Sequence, residues 1–172
     1  MVNYFELFQL PVQLPVDMAM LTTHYQQLQK QFHPDNFASA KDNEKVSIMQ
    51  KSAMINDGYQ TLKNSISAAE YFLSLQGFDV ATEQNIIHDP DFLMEQFTLR
   101  EQLDDIESQD NPELLDDFHK EMIKRKNSVY NQLLHYIHEQ DWQTALNLIY
   151  KIRYLTRLLE QIEKLQEKQF VL

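Results

Sequence analysis

With 172 residues, 43% hydrophobic content, and only 2 Gly and 5 Pro among abundant Gln, Leu, Glu and Lys, the chain can build one ordinary all-α domain or two small ones. It has no cysteine, which excludes a disulfide framework and any thiolate-held metal or cluster of its own, and its 2 glycines leave no Gly-rich phosphate loop. The formal net charge of −11 is uneven, with 7 acids and 5 bases in residues 1–76 against 19 acids and 10 bases in residues 77–172, which argues against a nucleic-acid partner.

In chain order, Pro11 and Pro15 flank a loop, and Asp17 is placed to cap a helix running to Phe32. Its apolar stripe is Met18, Leu21, Tyr25, Leu28 and Phe32, at spacings 3, 4, 3, 4. Pro34 ends that helix, because it lacks an N–H and disfavours helical geometry at His33. A second helix is predicted from about Asp42 to Leu62, with the stripe Ile48, Ser52, Ile55, Tyr59 and Leu62 and with Gly58 inside it at a cost of ~1 kcal/mol relative to Ala. A shorter helix from Ser65 to Leu75 should turn Ala68, Ala69, Phe72 and Leu75 inward and end at Gly77. Residues 77–88 show no clear period and read as a linker. Asp89-Pro90, Asn111-Pro112 and Asp141-Trp142 then open three helices, at about 90–108, 113–139 and 141–169. Their short connections predict antiparallel neighbours, and the stripe Leu148, Ile152, Leu155, Leu159 and Ile162 suits coiled-coil-like packing. The domains expected are therefore 1–76 and 89–172, joined by 77–88.

His33-Pro34-Asp35 lies at the tip of the first helical hairpin. His33 offers a ring that donates and accepts; Asp35 offers a charge on a turn that tolerates irregular backbone. Taken alone, the tripeptide also fits an ordinary polar interhelical turn. Its context is more specific. From Tyr4 to Leu75 the chain resembles a J domain, the module that stimulates ATP hydrolysis by DnaK-type chaperones. The likeness includes the leading helix Tyr4-Phe5-Glu6-Leu7-Phe8, the preceding Phe32, and Asn36-Phe37 after the tripeptide. It implies that His33, Pro34 and Asp35 contact a chaperone ATPase. J domains commonly carry several bases on the helix before the tripeptide and a Lys after it. Here that helix offers Gln26, Gln27, Gln29 and only Lys30, and Asn36 takes the Lys position; Lys41 and Lys45 could supply some charge. The electrostatic part of such a contact should be weak.

The helix near 90–108 has two apolar faces. At 100° per residue, Phe92, Leu99, Leu103 and Ile106 share a stripe about 60° wide, which is the core face. Leu93, Met94 and Phe97 form a second cluster centred about 160° away, extended by Glu101 and Asp105. Such a patch marks a partner site, or else it packs on the first domain or the linker.

The order of J domain, linker and acidic three-helix bundle resembles the HscB co-chaperones of iron–sulfur cluster assembly over nearly the whole chain. The most specific stretches are Gln29-Lys30-Gln31-Phe32-His33-Pro34-Asp35-Asn36-Phe37-Ala38, Ala69-Glu70-Tyr71-Phe72-Leu73-Ser74-Leu75-Gln76-Gly77-Phe78 and Phe92-Leu93-Met94-Glu95-Gln96. The resemblance implies an adaptor that binds an IscU-like scaffold through Leu93, Met94, Phe97, Glu101, Asp105 and Tyr154. It would deliver the scaffold to an HscA-like ATPase and stimulate that ATPase. Two departures stand out: the family often has Leu at Phe97 and an acid at Thr98. A J protein serving a general folding chaperone and unfolded clients is the alternative.

No catalysis, metal or cofactor is expected of the chain itself. His135 and His138, and Asp116 and His119, have metal-ligand spacing, but a di-iron bundle needs two Glu-x-x-His motifs and none occurs. Lys124-Arg125-Lys126 reads as a solvated helix face. No apolar run approaches membrane-spanning length, and the start shows no basic, apolar or Arg-rich targeting pattern, so a cytoplasmic location off the membrane is expected.

Overall fold

The computed structural model describes residues 2–80 and 89–171, and its chain divides into two compact units, Met1–Gly77 and Phe78–Leu172. In the first, α1 (Tyr4–Leu7), α2 (Met18–Gln31), a 3₁₀ turn (Pro34–Phe37), α3 (Asp42–Lys63) and α4 (Ser65–Leu75) follow one another. Side chains cap the starts of α2 and α4, at Asp17 where the sequence placed a cap and at Asn64 where it named none. Asp17 accepts from the Met20 N–H at 3.0 Å, and Asn64 accepts from the Ile66 and Ser67 N–H groups. Gly77 takes φ 91°, the left-handed position that follows a helix end.

The core of this unit joins all four helices through Phe5, Phe8, Leu21, Ile55, Leu62, Ala69 and Leu73. Tyr25 and Tyr59, one from each long stripe, stack face to face at 3.9 Å. Two expected core residues lie outside it. Met18, the first residue of α2, is exposed, and burial begins one turn later at Leu21. Leu75 is exposed and Leu73 takes its place; α4 buries the adjacent pairs Ala68–Ala69 and Phe72–Leu73, an arc that leaves Leu75 at its edge. Gly58 has a packing reason. A Cβ there would stand 2.9 Å from Tyr4 Cδ1 and 3.0 Å from Phe8 Cε2, so its absence lets α1 lie against α3.

The second unit holds α5 (Pro90–Gln109), α6 (Pro112–His138) and α7 (Trp142–Phe170). Asp89, Asn111 and Asp141 each accept hydrogen bonds from the first turn of the helix they open. Contacts between helices give the topology. His119 and Asp116 near the start of α6 meet Glu163 and Gln166 near the end of α7, so these two run antiparallel. Tyr154 meets Gln96 and Gln161 meets Arg100, so α5 and α7 run in the same direction. One core forms from Leu99 and Leu103 of α5, Leu115, Phe118 and Met122 of α6, and Leu155, Leu158, Leu159 and Ile162 of α7. The buried arc of α7 is broader than its heptad stripe, adding Ala145, Leu146, Ile149 and Leu158. A helix packed on two neighbours needs a wider apolar face than a two-helix seam.

Of the segment read as a linker, residues 81–88, with His88, lie outside the described residues. Val80 is buried, and its carbonyl accepts from Arg153 of α7 at 3.1 Å.

Candidate functional site

The tripeptide sits where α2 must stop. His33 is extended (φ −65°, ψ 132°), as a residue before proline should be, and Pro34 opens the 3₁₀ turn. The Asp35 N–H donates to His33 Nδ1 at 3.2 Å. That assigns the neutral ring the tautomer with hydrogen on Nε2, so the outward nitrogen is a donor. The Asp35 carboxylate lies 3.5 Å from the same Nδ1. One nitrogen cannot accept from the amide and donate to the carboxylate together, so the ion pair requires a protonated ring and the amide bond a neutral one. The two side chains are 59% and 90% exposed. Asn36 donates its side-chain amide to the Lys30 carbonyl at 2.6 Å. Phe32 is half-buried, with the Lys51 ammonium 5.7 Å from its ring centre. Lys30, Lys41 and Lys45 are exposed. Sequence pattern does not point to Lys51, because it sits sixteen residues beyond the tripeptide and only α3 packing brings it back to Phe32. The loop presents a donor, a carboxylate and nearby ammonium groups. These groups can make hydrogen bonds and ion pairs with a partner surface.

On α5, the helical wheel separates the two faces correctly. Phe92, Leu99 and Leu103 are buried and Ile106 partly so. Leu93, Met94 and Phe97 are 51%, 65% and 62% exposed. Glu101 and Asp105 continue this face, exposed and without an ion pair among the described residues. Tyr154, from α7, is half-buried. Its hydroxyl donates to the Gln96 carbonyl at 3.0 Å, and its ring meets Phe92 edge-on at 6.1 Å. Burial holds the Tyr154 hydroxyl above the ordinary tyrosine pKa; Arg100 and Arg157 oppose the shift and Glu95 adds to it.

A groove of about 400 Å³ runs between α5 and α7, lined by Leu93, Phe97, Arg100, Tyr154, Arg157 and Gln161 among others. Arg100 donates to Gln161 at 2.8 Å and approaches Asp104 at 3.6 Å. Arg100 and Arg157 are additions to the expected set. Arg100 lies only about 20° around the helix from Leu93, so the wheel could have found it; Arg157 comes from a distant helix. The opposite flank of the patch is acidic. Asp105 shares a cleft of about 300 Å³ with Ile106, Leu114, Asp117, Phe118 and Glu121. The apolar ridge therefore has guanidinium groups on one side and carboxylates on the other.

Arg125 is not simply a solvated charge. It reaches Glu95 of α5 at 3.1 Å and Glu121 at 3.4 Å, tying α6 to α5 beside the patch. The pairs with metal-ligand spacing are also otherwise engaged. Asp116 accepts from Gln166, His119 pairs with Glu163 at 3.2 Å, and the His135 ring meets Tyr136 edge-on. Among the described residues, no three His, Asp or Glu side chains are grouped so that they could hold a metal ion, and no helix is long and apolar enough to cross a membrane.

Residues 88–163 match the family model described as the HSCB C-terminal oligomerisation domain. The chain is 45% identical over 169 residues to the co-chaperone protein HscB of Proteus mirabilis (strain HI4320), covering 98% of each protein. Among solved structures, the chaperone HscB from Vibrio cholerae matches with a TM-score of 0.85 at 37% identity, covering 98% of this chain and 99% of that one. The human co-chaperone protein HscB also matches with a TM-score of 0.85, at 26% identity, over 94% of this chain and 81% of that one.

Proposed function

This chain belongs to the HscB family of J-domain co-chaperones of iron–sulfur cluster assembly, and we propose that its second unit holds an IscU-like scaffold while its first presents His33, Pro34 and Asp35 to a dedicated HscA-like ATPase. The observation that carries the scaffold half is the pair of apolar faces on α5. One face is spent on the core, while Leu93, Met94 and Phe97 stand in solvent. A contiguous exposed apolar patch with a charged rim has the anatomy of a protein interface. Glu101, Asp105 and Tyr154 extend the contact, with the acids steering encounter and orientation more than supplying affinity.

For the ATPase half, the loop's exposed donor and carboxylate make direct polar contacts, and Lys30, Lys41 and Lys45 supply the attractive field. Few bases precede the tripeptide, which suits one dedicated partner. On binding, the ATPase hydrolyses ATP and grips the scaffold, which aids cluster maturation and transfer. The chain's own role is to bring two proteins together; it performs no bond chemistry.

The test is steady-state ATPase activity of the chaperone with this chain, in the presence and absence of scaffold. Stimulation should be greater with both than the sum of either alone. Equal enhancement by an unfolded polypeptide in place of scaffold would refute the dedicated role and mark a general folding co-chaperone.

A further inference from the structure

One side chain bridges the tripeptide loop back to the helix before it. A helix leaves its last carbonyls without intrahelical donors. At the end of α2, the Leu28 carbonyl accepts from the Phe32 N–H at 2.9 Å, and the Lys30 carbonyl accepts from the Asn36 side chain at 2.6 Å. The Asn36 backbone N–H also donates to the His33 carbonyl at 3.0 Å. Asn36 thus closes two rings around the tripeptide, one through its backbone and one through its side chain. His33 and Asp35 are too exposed to be held by packing, and their mutual contacts orient them only relative to each other. The 3₁₀ turn also packs on α3, with Phe37 half-buried, and the Asn36 side chain adds the hydrogen bond that ties the loop to the end of α2.

We infer that Asn36 is a positioning residue: its side-chain amide, through the Lys30 carbonyl, holds the His33–Asp35 loop in the orientation that the chaperone ATPase engages. This rests on the reading of the tripeptide as the ATPase contact. A lysine at the same position would offer a charge to an acidic partner, but on a long flexible stem that loses more entropy when fixed as a clamp. With few bases on α2, this chain gains from a loop ordered before encounter, because ordering then need not be supplied by binding.

The experiment uses the full chain and the purified DnaK-type ATPase. Asn36→Leu removes the donor at constant charge and similar size, and Asn36→Lys restores the charge without the planar amide. ATPase rate is measured against co-chaperone concentration, beside amide hydrogen exchange at Asp35 and Asn36. Both variants should raise the half-saturating concentration, Asn36→Leu by about fivefold, the population cost of one ordinary hydrogen bond. Maximal stimulation should be unchanged and exchange at the loop faster. A role confined to capping α2 would lower the melting temperature and leave half-saturation alone. An unchanged half-saturating concentration for Asn36→Leu, in an assay where His33→Ala abolishes stimulation, overturns the proposal. Full stimulation by His33→Ala would instead overturn the reading on which it rests.

Discussion

Replacing Leu93, Met94 and Phe97 together by Ala tests the α5 patch most directly. Fully burying such a side chain is worth about 1.5–3 kcal/mol. The three are already one-third to one-half covered in the folded chain, with 51%, 65% and 62% exposed. A partner that covers the rest gains about 1–2 kcal/mol from each, or roughly 3–5 kcal/mol in all. At 1.4 kcal/mol per tenfold change, scaffold affinity should fall by about two to four powers of ten. Folding should suffer far less. The covered part is the smaller share of each side chain and a compact unfolded chain keeps some burial, so the net cost is about 1–2 kcal/mol once the better helix propensity of Ala offsets part of it. Leu99→Ala is the internal control. It lies two residues from Phe97 but is 2% exposed in the core, so it should cost about 2–5 kcal/mol of stability. Titration calorimetry against scaffold, paired with urea unfolding, reads both quantities. The reasoning is refuted if the triple variant binds within about threefold of the parent, or if it unfolds as readily as Leu99→Ala.

Other consequences follow from the same geometry. His33→Ala and Asp35→Ala should each abolish ATPase stimulation with helical circular dichroism unchanged, because both side chains stand in solvent; loss of helix content with the activity would contradict this. Gly58→Ala should lower the urea midpoint of the first unit by an amount equivalent to about 1–2 kcal/mol. The added Cβ meets Tyr4 and Phe8, rings held by stacking and burial, and this outweighs the ~1 kcal/mol gained in helix propensity; a raised midpoint would contradict the close approach. Tyr154→Phe should flatten the alkaline side of the stability profile. The folded Tyr154 pKa is raised, so folded chain binds this proton more tightly than unfolded chain; that stabilisation is complete below the ordinary tyrosine value of 10.0 and is lost as pH rises through the folded value. An identical alkaline slope in the Phe variant would show that the hydroxyl is not held by burial.

The long-range order of this protein was legible where the signal is local. Pro34, Asp17, Asp89-Pro90, Asn111-Pro112 and Asp141 mark helix ends because capping and proline geometry act within four residues. The 3.6-residue period found the stripes of α2, α3 and α7, and the wheel separated the exposed Leu93, Met94 and Phe97 from the buried face of α5, since both depend only on position along one helix.

What periodicity could not supply is which neighbour occupies each face. Met18 and Leu75 fit their stripes but are exposed, and Leu73 is buried because α4 turns an adjacent-pair arc inward. Gly58 reads in sequence as a helix weakness; only the approach of α1 shows that a Cβ has no room there. Arg125 belongs by composition to an exposed basic run, yet α5 brings Glu95 within 3.1 Å of it. Arg157 joins Leu93 and Phe97 along one groove across more than fifty residues of chain, and Asn36 reaches back six residues to cap α2. Propensity and period describe a helix by itself, so the sequence alone determined the helices, their ends and the two-faced character of α5. Close packing decides which atoms are within 3 Å of each other, and it does so from relative helix positions that no single segment encodes.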